Sequence, residues 1–164
     1  MQSNKKLKVL CLHGYNSTKE VFNYQLRGFK DAYGDIMDFH ILDGPFIVER
    51  DPPPQYYVDS GVWRGPYRTW FSIEGWSEQD PLTKRTSKLT GVKESVEYIL
   101  AYMKEHGPFD GFITFSGGQT LLRYMYRILF EIDPNAYKIE VSSMPTFLIS
   151  AGASITSDFI FEYN

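Results

Sequence analysis

At 164 residues, with 43% hydrophobic and 16% aromatic side chains, the sequence has the length and composition of one globular domain over residues 1–164. Its net charge of −3 carries no basic run beyond the pairs Lys5-Lys6 and Lys84-Arg85, which excludes a nucleic-acid-binding field. A polar start that passes at once into a strand-like run argues against a signal peptide or a membrane span. The single cysteine, Cys11, excludes an intrachain disulfide and points to a reducing, cytoplasmic setting.

In chain order, Lys6-Leu-Lys-Val-Leu-Cys-Leu12 reads as a strand that is apolar on both sides in its later half, as a central parallel strand is. It runs into His13-Gly14-Tyr15-Asn16. Ser17, with Glu20 three residues on, reads as a capping box that opens a helix over 17–32, with Val21, Phe22, Leu26 and Phe29 as its buried stripe. Residues 37–42 read as a second strand, stopped by Asp43-Gly44-Pro45. This β-α-β start predicts a parallel sheet with helices on its faces.

Over 44–87 regular periodicity disappears. Pro52-Pro53-Pro54, Gly61, Gly65-Pro66, Gly75 and Pro81 interrupt it, while Tyr56, Tyr57, Trp63, Tyr67, Trp70, Phe71 and Trp76 crowd in. Disordered linkers are poor in aromatics, so this stretch is expected to fold as a lid or pocket wall. The alternative is a loop packed on the sheet edge without a ligand role. Thr90 then reads as the cap of a helix whose face carries Val92, Val96, Ile99, Leu100 and Met103, ended by Gly107-Pro108.

Next comes Gly107-Pro-Phe-Asp-Gly-Phe-Ile-Thr-Phe-Ser-Gly-Gly-Gln119: a helix stop, a short buried strand and a sharp turn carrying Ser116 into another helix. A strand that delivers a serine onto such a turn is a nucleophile elbow. The elbow asks for small residues two before and two after the serine; Gly118 meets that demand and Thr114 does not. Leu121, Leu122, Met125, Ile128 and Leu129 mark the following helix, closed by Asp133-Pro134-Asn135. Thr146-Phe-Leu-Ile-Ser150 reads as a further apolar strand, and the tail Ser157-Asp-Phe-Ile-Phe-Glu-Tyr-Asn164 as a short strand or docking segment.

Three stretches together resemble the FSH family of serine hydrolases, within the α/β-hydrolase superfamily of fungal esterases and polyketide thioesterases. They are Lys8-Val-Leu-Cys-Leu-His-Gly14, then Arg68-Thr-Trp-Phe71 with Gly91-Val-Lys-Glu-Ser-Val-Glu-Tyr-Ile99, and Gly107-Pro-Phe-Asp-Gly111 running into Phe115-Ser116. The family's usual continuation is Gly-Phe-Ser-Gln-Gly; here Gly117 replaces the glutamine. The resemblance implies an α/β-hydrolase-like, mostly parallel sheet with helices on both faces, truncated before the last strands. It implies hydrolysis of an ester or thioester through an acyl-enzyme on Ser116, with the backbone N–H groups of Gly117 and Tyr15 as the oxyanion hole and residues 56–76 shaping an acyl pocket. No cofactor and no metal are implied.

In α/β-hydrolases the acid and then the histidine follow the nucleophile. Here all three histidines, His13, His40 and His106, precede Ser116, and Asp158 is the one aspartate near the expected region. The triad His and Asp are therefore not found. His13 is expected to be a hydrogen-bonded loop residue, His40 to lie on the second strand, and His106 to face solvent at a helix C-terminus. No histidine pair has metal-site spacing. The expectation is a non-catalytic hydrolase-fold subunit of a larger assembly, in which a protein partner covers the edge strand Thr146-Phe-Leu-Ile-Ser150 and the tail Phe159-Ile-Phe-Glu-Tyr163. The alternative is an active ester or thioester hydrolase whose Asp and His come from a longer product or a partner chain. A third, weaker reading takes Tyr15-Asn-Ser-Thr18 as a phosphate cradle of a flavodoxin-like domain, but that loop lacks the dense hydroxyl and glycine pattern such sites use.

Overall fold

Residues 5–48, 59, 61, 65–75, 88–132, 135 and 144–151 are described by the structure, a computed structural model. In chain order the elements are β1 (Leu7–Leu12), α1 (Lys19–Gln25), α2 (Arg27–Tyr33), β2 (Met37–Leu42), β3 (Phe46–Ile47), β4 (Arg68–Thr69), β5 (Ser72–Glu74), β6 (Lys88–Thr90), α3 (Val92–His106), β7 (Gly111–Phe115), α4 (Gly117–Arg127) and β8 (Phe147–Ala151). The four longest strands form one sheet in the order β2-β1-β7-β8, and every pairing in it is parallel. The expected α/β architecture is thus present.

Strand alternation divides the core into two layers. Val9, Cys11 and Ile113 point to one face, where Phe22 and Leu26 cover them; Leu10, Leu12 and Phe112 point to the other, under α3 and α4. Val92, Val96 and Ile99 of α3 and Leu121, Leu122 and Met125 of α4 are all buried, as their spacing predicts. Helices therefore cover both faces. At the β8 edge the covering ends: Leu148, on the α3/α4 face, is 52% exposed. The tail from Ser157 to Asn164, with Asp158, lies outside the described residues.

Three local expectations change. The first cap is Thr18, whose Oγ1 accepts from the Val21 N–H at 3.2 Å. Ser17 does not cap, because its backbone is taken up by an antiparallel bridge to Arg68, with hydrogen bonds of 3.2 and 2.7 Å. The helix over 17–32 is two helices: Leu26, at φ −80° and ψ 0°, turns the axis between α1 and α2 while its own N–H still reaches the Phe22 carbonyl. Thr90 belongs to β6, and α3 starts from Gly91 at φ 83°, against which the Phe46 ring packs so closely that a side chain would collide.

The described part of 44–87 is more regular than expected. It forms two small antiparallel pairs, β3 with β4 and β5 with β6. Trp70 and Phe71 are 0% exposed and belong to the central core. Tyr56, Tyr57, Trp63 and Trp76 lie outside the described residues.

The layered core gives a direct expectation. Ile99→Ala should lower stability by about 2–5 kcal/mol, whereas Leu148→Ser should stay within about 0.5 kcal/mol, both measured by urea unfolding of the chain.

Candidate active site

Ser116 joins β7 to α4 at φ 46° and ψ −107°, a conformation that costs a non-glycine residue about 1–3 kcal/mol and must be held by its surroundings. Three backbone hydrogen bonds hold it. The Ser116 N–H donates to the Ala151 carbonyl at 2.9 Å, and the Ser116 carbonyl accepts from Gln119 and Thr120 at 3.0 and 3.2 Å. Its hydroxyl is not used to cap α4. The strain lifts the side chain out of the strand, leaving it half-buried at the C-terminal edge of the sheet.

Gly118 shows why the elbow needs a small residue after the serine: a side-chain carbon there would collide with the carbonyl oxygens of Leu12 and His13. Thr114, which breaks the rule before the serine, is 1% exposed and shares a 2.9 Å hydrogen bond with Ser150 on β8. Its hydroxyl is thus satisfied across the sheet. A carbon built on Gly117 would lie 3.0 Å from the Tyr15 nitrogen, so the two predicted oxyanion residues are brought together.

The loop after β1 is fixed from behind. His13, fully buried, has Nδ1 2.6 Å from the Gly14 carbonyl and Nε2 2.9 Å from the Gly44 N–H. A carbonyl only accepts and an N–H only donates, so the ring is neutral with its proton on Nδ1. Burial pushes its pKa down, with Arg68 acting in the same direction and the Gly14 hydrogen bond, Asp43 and Glu20 opposing. The Trp70 indole N–H donates to the His13 carbonyl at 2.8 Å, and the Ser95 hydroxyl donates to the Trp70 carbonyl at 2.5 Å. Trp70 and Ser95 were legible in the sequence as motif members, but their bonding was not.

No histidine of the sequence stands as a base beside Ser116. Both nitrogens of His13 are engaged. His40, on β2, contacts Tyr102 Oη at 3.0 Å and Asp38 Oδ2 at 3.2 Å. Its register partner is Leu10, which pairs with Phe112, four residues before the nucleophile or roughly 13 Å along a strand. His106 ends α3 at the opposite sheet edge, its ring tilted against Tyr102 with centroids 4.2 Å apart and its carbonyl bound by Lys8. Burial raises the Cys11 thiol to about 12, so it is no substitute nucleophile.

Polar groups remain on this rim. Asn16 Oδ1, Ser17 Oγ and Gln119 Oε1 are buried without a hydrogen-bond partner among the described residues, and Asn16 itself has φ 52°. A cavity of about 570 Å³ opens next to the loop, its wall including Thr18, Glu20, Asp43, Pro66 and Arg68.

A strained serine on a strand-to-helix turn, a glycine-packed helix start and a parallel sheet covered on both faces are the architecture of the α/β-hydrolase fold. The chain belongs to the family described as Serine hydrolase (FSH1), whose family model matches residues 1–162. It is 35% identical over 127 residues to an uncharacterized hydrolase of Schizosaccharomyces pombe, covering 74% of this chain and 28% of that protein. It is 27% identical to the esterase C25G4.2 of Caenorhabditis elegans, covering 76% and 52% of the two, and 29% identical to the mouse esterase OVCA2, covering 82% and 61%. The chain thus spans less than two thirds of the length of each of these relatives.

Two outcomes follow. Gly118→Val should destabilise the chain by about 1–3 kcal/mol or more through overpacking against β1, measured by urea unfolding. Because the folded pKa of His13 lies below its unfolded value near 6.5, its contribution is complete above that value and is lost as pH falls through the folded pKa. The slope of stability against pH below 6.5 should therefore flatten in His13→Asn.

Proposed function

We propose that this chain carries the nucleophile and oxyanion half of a serine ester or thioester hydrolase, and that the 164 residues alone lack its base. The observation that carries the reading is Ser116, held at positive φ beside the closely approaching backbones of Tyr15 and Gly117. Ser116 Oγ attacks the acyl carbon and the carbonyl π electrons move to oxygen. The two N–H groups receive that oxyanion, each worth about 3–4 kcal/mol in comparable sites. The alcohol or thiol departs with the serine's proton, and water then releases the acyl group as a carboxylic acid. No cofactor enters this scheme. Carboxylic esters are favoured as substrates because two of the relatives are named esterases. The cavity beside Arg68 is the place for a polar substrate end.

Removing the base from such a site typically costs about a millionfold in turnover and leaves roughly 10³–10⁴ over the uncatalysed rate. The engagement of all three histidines therefore favours a second reading of the same chain. In that reading it is a non-catalytic subunit of a larger assembly, held by a protein partner along β8, with no acyl substrate. A cytoplasmic setting fits the buried Cys11 thiol in either case.

A fluorophosphonate probe separates the two. The first reading expects slow labelling of the intact chain that vanishes in Ser116→Ala, with turnover of an activated ester near the base-free level. Labelling that survives Ser116→Ala, or none at all in the wild type, would sink it. The second expects no labelling and loss of complex formation when Leu148→Lys charges the β8 edge.

A further inference from the structure

We propose that His13, Trp70 and Ser95 are positioning residues for the oxyanion donor, acting through two consecutive peptide groups rather than through the substrate. This rests on the reading of Ser116 as nucleophile with the Tyr15 N–H as donor. In a planar trans peptide the carbonyl and the following N–H point in opposite directions, so fixing one fixes the other. The Gly14 carbonyl is held by His13 Nδ1–H at 2.6 Å, which turns the Tyr15 N–H away from His13. The preceding carbonyl, that of His13, is held by the Trp70 indole at 2.8 Å, and Trp70 is itself anchored by the Ser95 hydroxyl. On the other side, the Tyr15 nitrogen abuts the start of α4 at Gly117.

All three side chains are fully buried, where a hydrogen bond cannot be exchanged for one to water. The imidazole is also tied at Nε2 to the Gly44 N–H, so it cannot tip without giving up a second bond. Two of the three sequence stretches that carry the resemblance thus meet in one bonded chain, Ser95 from α3 and Trp70 after β4 from the second and His13 after β1 from the first, aimed at the turn that follows β7 in the third.

The test uses the full chain and two readouts. Trp70→Phe keeps an aromatic ring but removes the indole N–H together with part of the buried volume; Ile99→Ala serves as the control that opens a cavity in the same core without removing a bond to the loop. In ¹H–¹⁵N spectra, Trp70→Phe and Ser95→Ala should shift the Gly14 and Tyr15 amide signals, while Ile99→Ala should leave them in place. Phosphonylation of Ser116, measured on folded protein, should slow about tenfold to a hundredfold in Trp70→Phe and stay near the wild-type rate in Ile99→Ala. Equal slowing in the two variants would reduce Trp70 to a purely structural role and overturn the proposal, as would unmoved loop amides. Should the wild type fail to label at Ser116, the nucleophile reading falls, and the amide shifts alone then decide whether Trp70 and Ser95 orient the Tyr15 N–H.

Discussion

The first turn of α4 lies against the end of β1 with no room for a side chain between them, and the geometry of the site depends on that contact. Gly118 sits on the carbonyls of Leu12 and His13, so the helix must begin close to the sheet edge. The strand leading to it, β7, is paired to β1 in fixed register and cannot shift to accommodate the helix. Ser116 absorbs the difference. Its positive φ is the consequence of a strand and a helix that are each fixed independently, and the same closeness puts the start of α4 beside the Tyr15 nitrogen. A local strain of about 1–3 kcal/mol is affordable because the flanking core buries many large side chains on both sheet faces.

The other constraint is electrostatic. Behind the loop the protein places polar groups in a dry environment and satisfies them with one another: imidazole to carbonyl, amide to imidazole, indole to carbonyl, hydroxyl to carbonyl. Each such bond adds modest net stability, but breaking one leaves a buried group unsatisfied at about 1–3 kcal/mol. That asymmetry makes the network rigid. In front of the loop the pattern differs, since Asn16 Oδ1, Ser17 Oγ and Gln119 Oε1 are buried without partners among the described residues. The rigid side faces the core, and the unsatisfied atoms belong to the loop and helix start that flank the serine.

Much of this was legible in the residues. The apolar run of β1, the 37–42 strand and the stripe Val92, Val96 and Ile99 follow from periodicity alone, because burial on a sheet or helix face imposes it. The elbow was legible because serine followed by two glycines after a short apolar run has few other uses. What escaped were features set by distant partners. Ser17 looked like a cap until its backbone was claimed by Arg68, more than fifty residues away in sequence, leaving the role to Thr18. Thr114 breaks the local rule for the elbow, yet its hydroxyl pairs with Ser150, a partner no local rule could foresee. Trp70 counted as one of a crowd of lid aromatics; only the fold shows it buried against His13.

The missing base can be reasoned further from the same energetics. His13 is the histidine nearest to the elbow in the fold, and a rotation toward Ser116 would have to release both of its hydrogen bonds. The Gly14 carbonyl and the Gly44 N–H would then be left unpaired inside the protein, about 1–3 kcal/mol each, before any chemistry began. Reaction would also require the ring to accept a proton and become cationic. Its burial opposes that, as the lowered pKa records, whereas a general base works best when its pKa lies near the operating pH. Both terms act against His13, and neither is relieved by binding a substrate at the front of the loop. A Ser116 that turns over esters at triad-like rates therefore takes its imidazole from polypeptide outside these 164 residues. β8 is an edge of the described sheet, with Leu148 open on its α3/α4 face.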